Sequence, residues 1–225
     1  MKRITTATGA AFVLSLLGTA PALARNAGRA SPAVSSGSNP LSMDVAGVRL
    51  GMPLAAAQAA LSTTYSCDRS LRDASFQQRV EREVNKRRGV AEGFPPTGGA
   101  VGQMTCTGPS GEQLRLFMAQ VPTGTVVDRI DLYIGTDRVD PAALVGQVET
   151  KYGRPSEGTA ANGSWCVSRC GYDLTMEPGP RITVMSDASS FKILGSRGRS
   201  ARQADDAAVN SMAARKVPAS KRGAF

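Results

Sequence analysis

The chain has four cysteines and no histidine. Cys67 and Cys106 are far apart; Cys166 and Cys170 lie three residues apart in "SWCVSRCGYDL", beside the single tryptophan, Trp165. Thiols can act as nucleophiles, redox centres or metal ligands. With no imidazole in the chain, a Ser-His-Asp triad, a histidine-assisted thiolate and a histidine metal ligand are all excluded. The Cys166–Cys170 spacing is wider than the Cys-x-x-Cys of dithiol oxidoreductases. The residues that follow read as a strand, not as the helix start that lowers a thiol pKa. Arg169 alone is weak activation. A four-cysteine zinc site is disfavoured by the same spacing. The expected roles are therefore structural: disulfides Cys67–Cys106 and Cys166–Cys170, with Trp165 packed in the core or on the disulfide. Four cysteines allow three pairings, and a link from Cys67 to Cys166 or Cys170 is the alternative.

Other chemistry is sparse. Lys151 and Lys192 lack a serine motif. "GPSGEQ" and "GSRGRS" do not match a phosphate-binding loop. Asp128 with Asp131, and Asp137 with Asp140, read as turn and surface carboxylates. The sequence predicts no catalytic residue, no metal and no cofactor.

The N-terminus carries the marks of export. Lys2 and Arg3 precede the apolar run "AAFVLSLLG", and "PALA" ends at Ala24 with a small-x-small pattern. A signal peptide over 1–24 is expected, with a periplasmic or secreted destination, where disulfides persist. No later stretch is apolar for the ~20 residues a membrane-spanning helix needs. Residues 25–42, rich in Ser, Gly, Ala and Pro, read as a flexible linker.

Net charge is +9, but it sits at the ends. With the four basic residues of 1–40 and the seven of 195–225 set aside, the stretch 41–194 holds 16 basic and 16 acidic residues. The expected organisation is one domain over 43–194 and a basic, largely disordered tail over 195–225. No specific nucleic-acid partner follows from such a distribution.

Residues 43–52 alternate briefly and suggest a short strand. "PLAAAQAAL", 53–61, is helical by propensity. Over 69–88, Phe76, Val80 and Val84 recur at helical spacing in a charged setting, and "NKRRG" suits a helix end. Arg79, Arg82, Lys86, Arg87 and Arg88 make this helix a candidate binding surface. "EQLRLFMAQ" and "VVDRIDLYIG" alternate around "VPTGT" and predict a hairpin, with Arg115, Arg129 and Asp131 on its wet face. Asp140, Pro141 and Gly153 are the N-cap, first residue and C-cap of a third helix. "SEGTAANGS" reads as a loop, "YDLTM" and "RITVM" as a second hairpin, and "SFKIL" as a closing strand. A helix over 201–216 would have only a thin apolar stripe. The sum is an α+β fold: helices packed on an antiparallel sheet, two helix-then-hairpin units, stapled by disulfides.

Two stretches resemble a known family. "GVRLGMPLAAAQAAL", 47–61, resembles the Gly-x-x-x-Gly-Met opening of small exported bacterial domains, and "DPAALVGQVETKYGRPS", 140–156, its companion helix ending Lys-Tyr-Gly-x-Pro. Together they are similar to the small outer-membrane-assembly lipoprotein domain (SmpA/OmlA type) and to the β-lactamase-inhibitor-protein-like repeat. The resemblance implies a protein-binding α+β domain without catalytic residues. The chain departs from the assembly lipoproteins in lacking the lipid-bearing cysteine and in adding a basic tail. The expected function is thus a non-enzymatic protein- or envelope-binding domain, using the sheet face or the 69–88 helix. The alternatives are a thiol-disulfide enzyme using Cys166 and Cys170, or a cell-wall or lipid binder acting through the tail.

Overall fold

The strands β1 (Asp44–Val45) and β2 (Val48–Arg49) form a small hairpin that buries both valines. In this computed structural model the described residues are 39–90, 98–137, 139–167, 170 and 179–217. Helix α1 (Leu54–Leu61) follows with Pro53 as its N-cap and no side-chain capping bond; Ala57 and Leu61 are its buried residues. Strand β3 (Ser66–Ser70) leads to α2 (Phe76–Arg87), where a capping box pairs Ser75 with Gln78 in both directions. The expected helix over 69–88 is thus corrected at its start. Ser75 supplies the acceptor that begins a helix, and the polar residues before it pair with a neighbouring strand instead.

Strands β4 (Gln103–Thr107), β5 (Gln113–Val121) and β6 (Gly124–Gly135) form an antiparallel meander, with a register shift between Phe117 and Met118. Helix α3 (Pro141–Tyr152) has the expected caps: the Asp140 carboxylate accepts from the Ala142 amide at 3.0 Å. Gly153 ends the helix at φ 69° and ψ −160°, a conformation open in practice to glycine alone. Strands β7 (Glu157–Gly158) and β8 (Asn162–Cys166) come next, and "SEGTAANGS" is therefore not a plain loop. Its glycines, Gly158 and Gly163, face one another in the strand register. Strands β9 (Arg181–Ser186) and β10 (Ser190–Ser196) form a hairpin. "YDLTM" lies outside the described residues, and β9 pairs with β8 and β10.

Eight of these strands make one antiparallel sheet in the order β3-β4-β5-β6-β10-β9-β8-β7. Strand β10 sits between β6 and β9, so "SFKIL" lies at the centre of the sheet and not at its margin. Leu114, Leu116, Ile130, Leu132, Ile182, Val184, Phe191 and Ile193 bury one face of it against Leu61 of α1 and Leu144, Val148 and Tyr152 of α3.

The chain beyond residue 195 is corrected too. Helix α4 (Arg199–Lys216) replaces the first part of the expected disordered tail; residues 218–225 lie outside the described residues. Val209 and Ala213 pack with Val80 and Val84 of α2 in a second, separate cluster. Two thin stripes that could not each hold a helix alone bury one another. Mostly shielded charges secure the end of α4 at the sheet: Arg197 pairs with Asp205 at 3.1 Å, and Arg202 with Asp128 at 3.4 Å. Burial raises the Asp128 carboxyl above its ordinary value, outweighing Arg202 and Arg197, which lower it.

Candidate functional site

The structure joins Cys67 to Cys106 and Cys166 to Cys170, and none of the four cysteines is free. Cys67 faces Cys106 directly across β3 and β4, with the Cα atoms 4.0 Å apart. The second bridge joins the last residue of β8 to Cys170, four positions on. Side chains alternate along β8, so Ser164 and Cys166 point to one side and Trp165 to the other. Trp165 is fully buried and meets Tyr152 edge-on, with ring centroids 5.8 Å apart. Arg169 lies outside the described residues.

The basic set on α2 is divided by the fold. Arg79 pairs with Asp206 of α4 at 2.6 Å and donates to the Gln120 carbonyl. Arg87 pairs with Glu83 at 2.9 Å and reaches Asn210. These two guanidiniums hold α2 to α4 and to itself. Arg82 is half-buried, while Lys86 and Arg88 are exposed. Two of the five are thus committed to ion pairs.

The second face of the sheet gathers cations beside exposed apolar side chains. Residues paired directly on neighbouring strands share a face. One row across five strands runs Gln113, Tyr133, Lys192, Met185, Asn162. The next runs Arg115, Asp131, Leu194, Thr183, Ser164. Tyr133 is 44% exposed and Met185 38%, high for large side chains at the middle of a sheet. Arg129 forks onto Asp131, at 3.1 and 2.8 Å, and its guanidinium lies 3.8 Å from the centre of the Phe117 ring. The Lys192 ammonium is 5.8 Å from the centre of the Tyr133 ring. Among the described residues, neither Arg115 nor Lys192 has a carboxylate partner. The centre of this face therefore presents cations beside aromatic and thioether surface. Acidic residues on the same face are Asp131, held by Arg129, and Asp68 and Glu157 on the outermost strands β3 and β7. Toward β8 the face closes: Arg181 donates to Thr183 at 2.8 Å and to Ser164 at 2.9 Å, and both acceptors are buried.

Two recesses mark the surface. The larger, about 420 Å³, lies between Ser75 and Phe76 at the start of α2, the β5–β6 turn and Met212. The smaller, about 300 Å³, is lined by Gln58, Ser62, Tyr65, Cys67, Arg69 and Met104. Beside it, burial and then the Glu112 carboxylate push the Tyr65 hydroxyl up to about 12, so it stays a donor at neutral pH. Glu112 itself is buried, and its Oε1 has no hydrogen-bond partner. Among the described residues no group of three or more Cys, Asp or Glu side chains is arranged to hold a metal ion, and no helix is long and apolar enough to cross a membrane.

Sequence reasoning placed Arg115, Arg129 and Asp131 on a wet face but not Tyr133, Lys192 and Met185 beside them. The signal was present in the odd positions of β5 and β6. The contribution of β9 and β10 depended on sheet order. No family model, curated protein or solved structure matches this chain.

Proposed function

We propose that this protein is an exported binding domain that holds an acidic segment of a partner protein on the open face of its sheet. The observation that carries the reading is the row Tyr133, Lys192, Met185 with Arg115 beside it: exposed apolar and aromatic side chains interleaved with two cations that form no ion pair among the described residues. Such a mixture suits an interface, where aromatic residues, Met and Arg are enriched. Uncommitted cations select an acidic partner and speed its approach. Two disulfides support a destination outside the reducing cytosol.

The test compares three forms of the intact chain in quantitative capture from an envelope extract. They are wild type, an R115E/Y133A/K192E form altered on the sheet, and an R82E/R88E form altered on α2. The expected result is one acidic partner retained by wild type and by the α2 form, and lost about tenfold or more by the sheet form with its melting temperature unchanged. Equal retention by wild type and the sheet form, or loss confined to the α2 form, overturns the reading.

A further inference from the structure

The Cys67–Cys106 bridge has surroundings that a purely structural staple does not need. The two sulfurs are unequal. Cys106 is fully buried, whereas Cys67 is exposed on β3, the outermost strand, of which four residues in five are exposed. The Cys67 side of the bridge opens into the recess formed with Gln58 of α1, with Ser62 just past its end and with Arg69. Arg69 lies two residues from Cys67 on the same face and has no carboxylate partner among the described residues. An anionic sulfur entering the recess would meet a guanidinium.

On the other side of the bridge, Tyr65 lies two residues before Cys67, and Gly108 two residues after Cys106. Glu112 folds back over Gly108, so closely that a Cβ on that glycine would lie 2.0 Å from Glu112 Oε1. The missing side chain lets a buried carboxylate cross the chain just past β4 toward Tyr65. Its second oxygen accepts from the Ser110 amide at 2.9 Å, while Oε1 is left unpaired. A buried carboxylate oxygen left unpaired costs stability. Along this face a guanidinium, a half-exposed disulfide, a phenol and a buried carboxylate follow one another.

We infer that Cys67–Cys106 is a thiol–disulfide exchange site whose substrate is an external dithiol protein. This lies beyond the binding role and is independent of it. Only Cys67 can be attacked, because Cys106 is out of reach. The incoming thiolate, drawn by Arg69, forms a new S–S bond to Cys67 Sγ; the Cys67–Cys106 bond breaks, and its electron pair leaves on Cys106 Sγ. That sulfur is buried where a thiolate is poorly solvated, so it must be protonated. Glu112, with the Tyr65 hydroxyl beside it, passes a proton from solvent to Cys106. The partner's second thiol, losing its own proton to solvent, then attacks the mixed disulfide and expels Cys67 as a thiolate, which takes up a proton. The partner ends as a disulfide and this chain as a dithiol, with two electrons transferred. Reduction removes the disulfide that ties β3 to β4.

The test uses the intact oxidised chain carrying C166S and C170S, so that a single disulfide remains, with dithiothreitol as the dithiol. Opening is followed by alkylation and mass mapping, and folding by Trp165 fluorescence. Cys67 and Cys106 should become alkylated while the Trp165 signal is unmoved. E112Q should slow opening about tenfold. A second measurement uses two monothiols of opposite charge, mercaptopropionate and cysteamine. The native chain should favour the anion, and R69Q should remove that preference by several-fold. A bridge that opens only as Trp165 reports unfolding, an E112Q rate equal to wild type, or a rate ratio unchanged by R69Q overturns the assignment.

Discussion

Tyr152, the last residue of α3, meets Trp165 of β8 edge-on at 5.8 Å with an interplanar angle of 68°. The Tyr152 hydroxyl donates to the Asp44 carbonyl in β1. One aromatic pair thus ties a helix end, an outer part of the sheet and the opening hairpin together. Burial is the main cause that raises the Tyr152 phenol, with the Asp44 charge adding to it, so the hydroxyl remains a donor.

Truncation of this pair should be costly. Trp165→Ala is expected to lose about 3–5 kcal/mol, the range for an aromatic removed from a packed core. Tyr152→Phe should lose only about 1 kcal/mol, the hydrogen bond to Asp44. Trp165→Phe should fall between them, because it also removes a buried indole N–H that has no acceptor. Urea unfolding followed by far-ultraviolet circular dichroism measures all three; equal effects for the two Trp165 variants would refute the packing account.

Gly108→Ala tests the crossing of Glu112 over the chain just past β4. The new methyl would collide with Glu112 Oε1, and backbone φ at this glycine is not the obstacle. A loss of about 1–3 kcal/mol is expected from overpacking, largely recovered in a Gly108→Ala/Glu112→Ala double variant. Additive losses in the double-mutant cycle would show that the two positions do not meet.

Helix α4 is expected to be part of the stable fold. A stop after Arg197 exposes Val80 and Val84 and removes Asp206, the partner of Arg79. The truncated chain should melt several degrees lower, consistent with about 2 kcal/mol or more of lost apolar burial in a domain this size. A melting temperature unchanged by the truncation would return the segment to the status of a tail.

The turn between β9 and β10 should be acid-sensitive. The Asp187 carboxylate accepts from the amides and hydroxyls of Ser189 and Ser190 at 2.8–2.9 Å. The Ser189 amide is the first of the causes that lower Asp187 from 3.8 to about 2. A lowered carboxyl stabilises the fold fully above its unfolded value and loses that contribution as pH falls through the folded one. The melting-temperature gap between wild type and Asp187→Asn should therefore hold above pH 4 and close between pH 4 and pH 2. A gap independent of pH would place the effect elsewhere.

Removing Cys67–Cys106 by a double Cys→Ser change should cost up to about 4 kcal/mol, and removing Cys166–Cys170 about 2 kcal/mol. The difference follows from separations of 39 and 4 residues. Thermal unfolding of the two variants decides the order; a costlier loss at Cys166–Cys170 would mean that chain entropy does not govern these bridges.

What could be read from the residues alone was local. Asp140-Pro141 and Gly153 delimit α3 because capping chemistry lies within a few residues of each helix end. The β5–β6 hairpin is written in the alternation of Leu114, Leu116 and Met118 with Ile130, Leu132 and Ile134. The α+β class and the disulfide pairs followed from such signals and from cysteine spacing. Strand β3 was hidden because Ser66-Cys-Asp-Arg-Ser70 shows no apolar alternation: as an outer strand it has almost nothing to bury. Strand β8 was hidden in a glycine- and serine-rich stretch. Only the tertiary structure put β10 between β6 and β9, assembled the open face from four separate strands, and matched the weak stripe of α4 to that of α2. Each of these depends on contacts between residues far apart in the chain, and their energy is spread over pairs that no single segment contains.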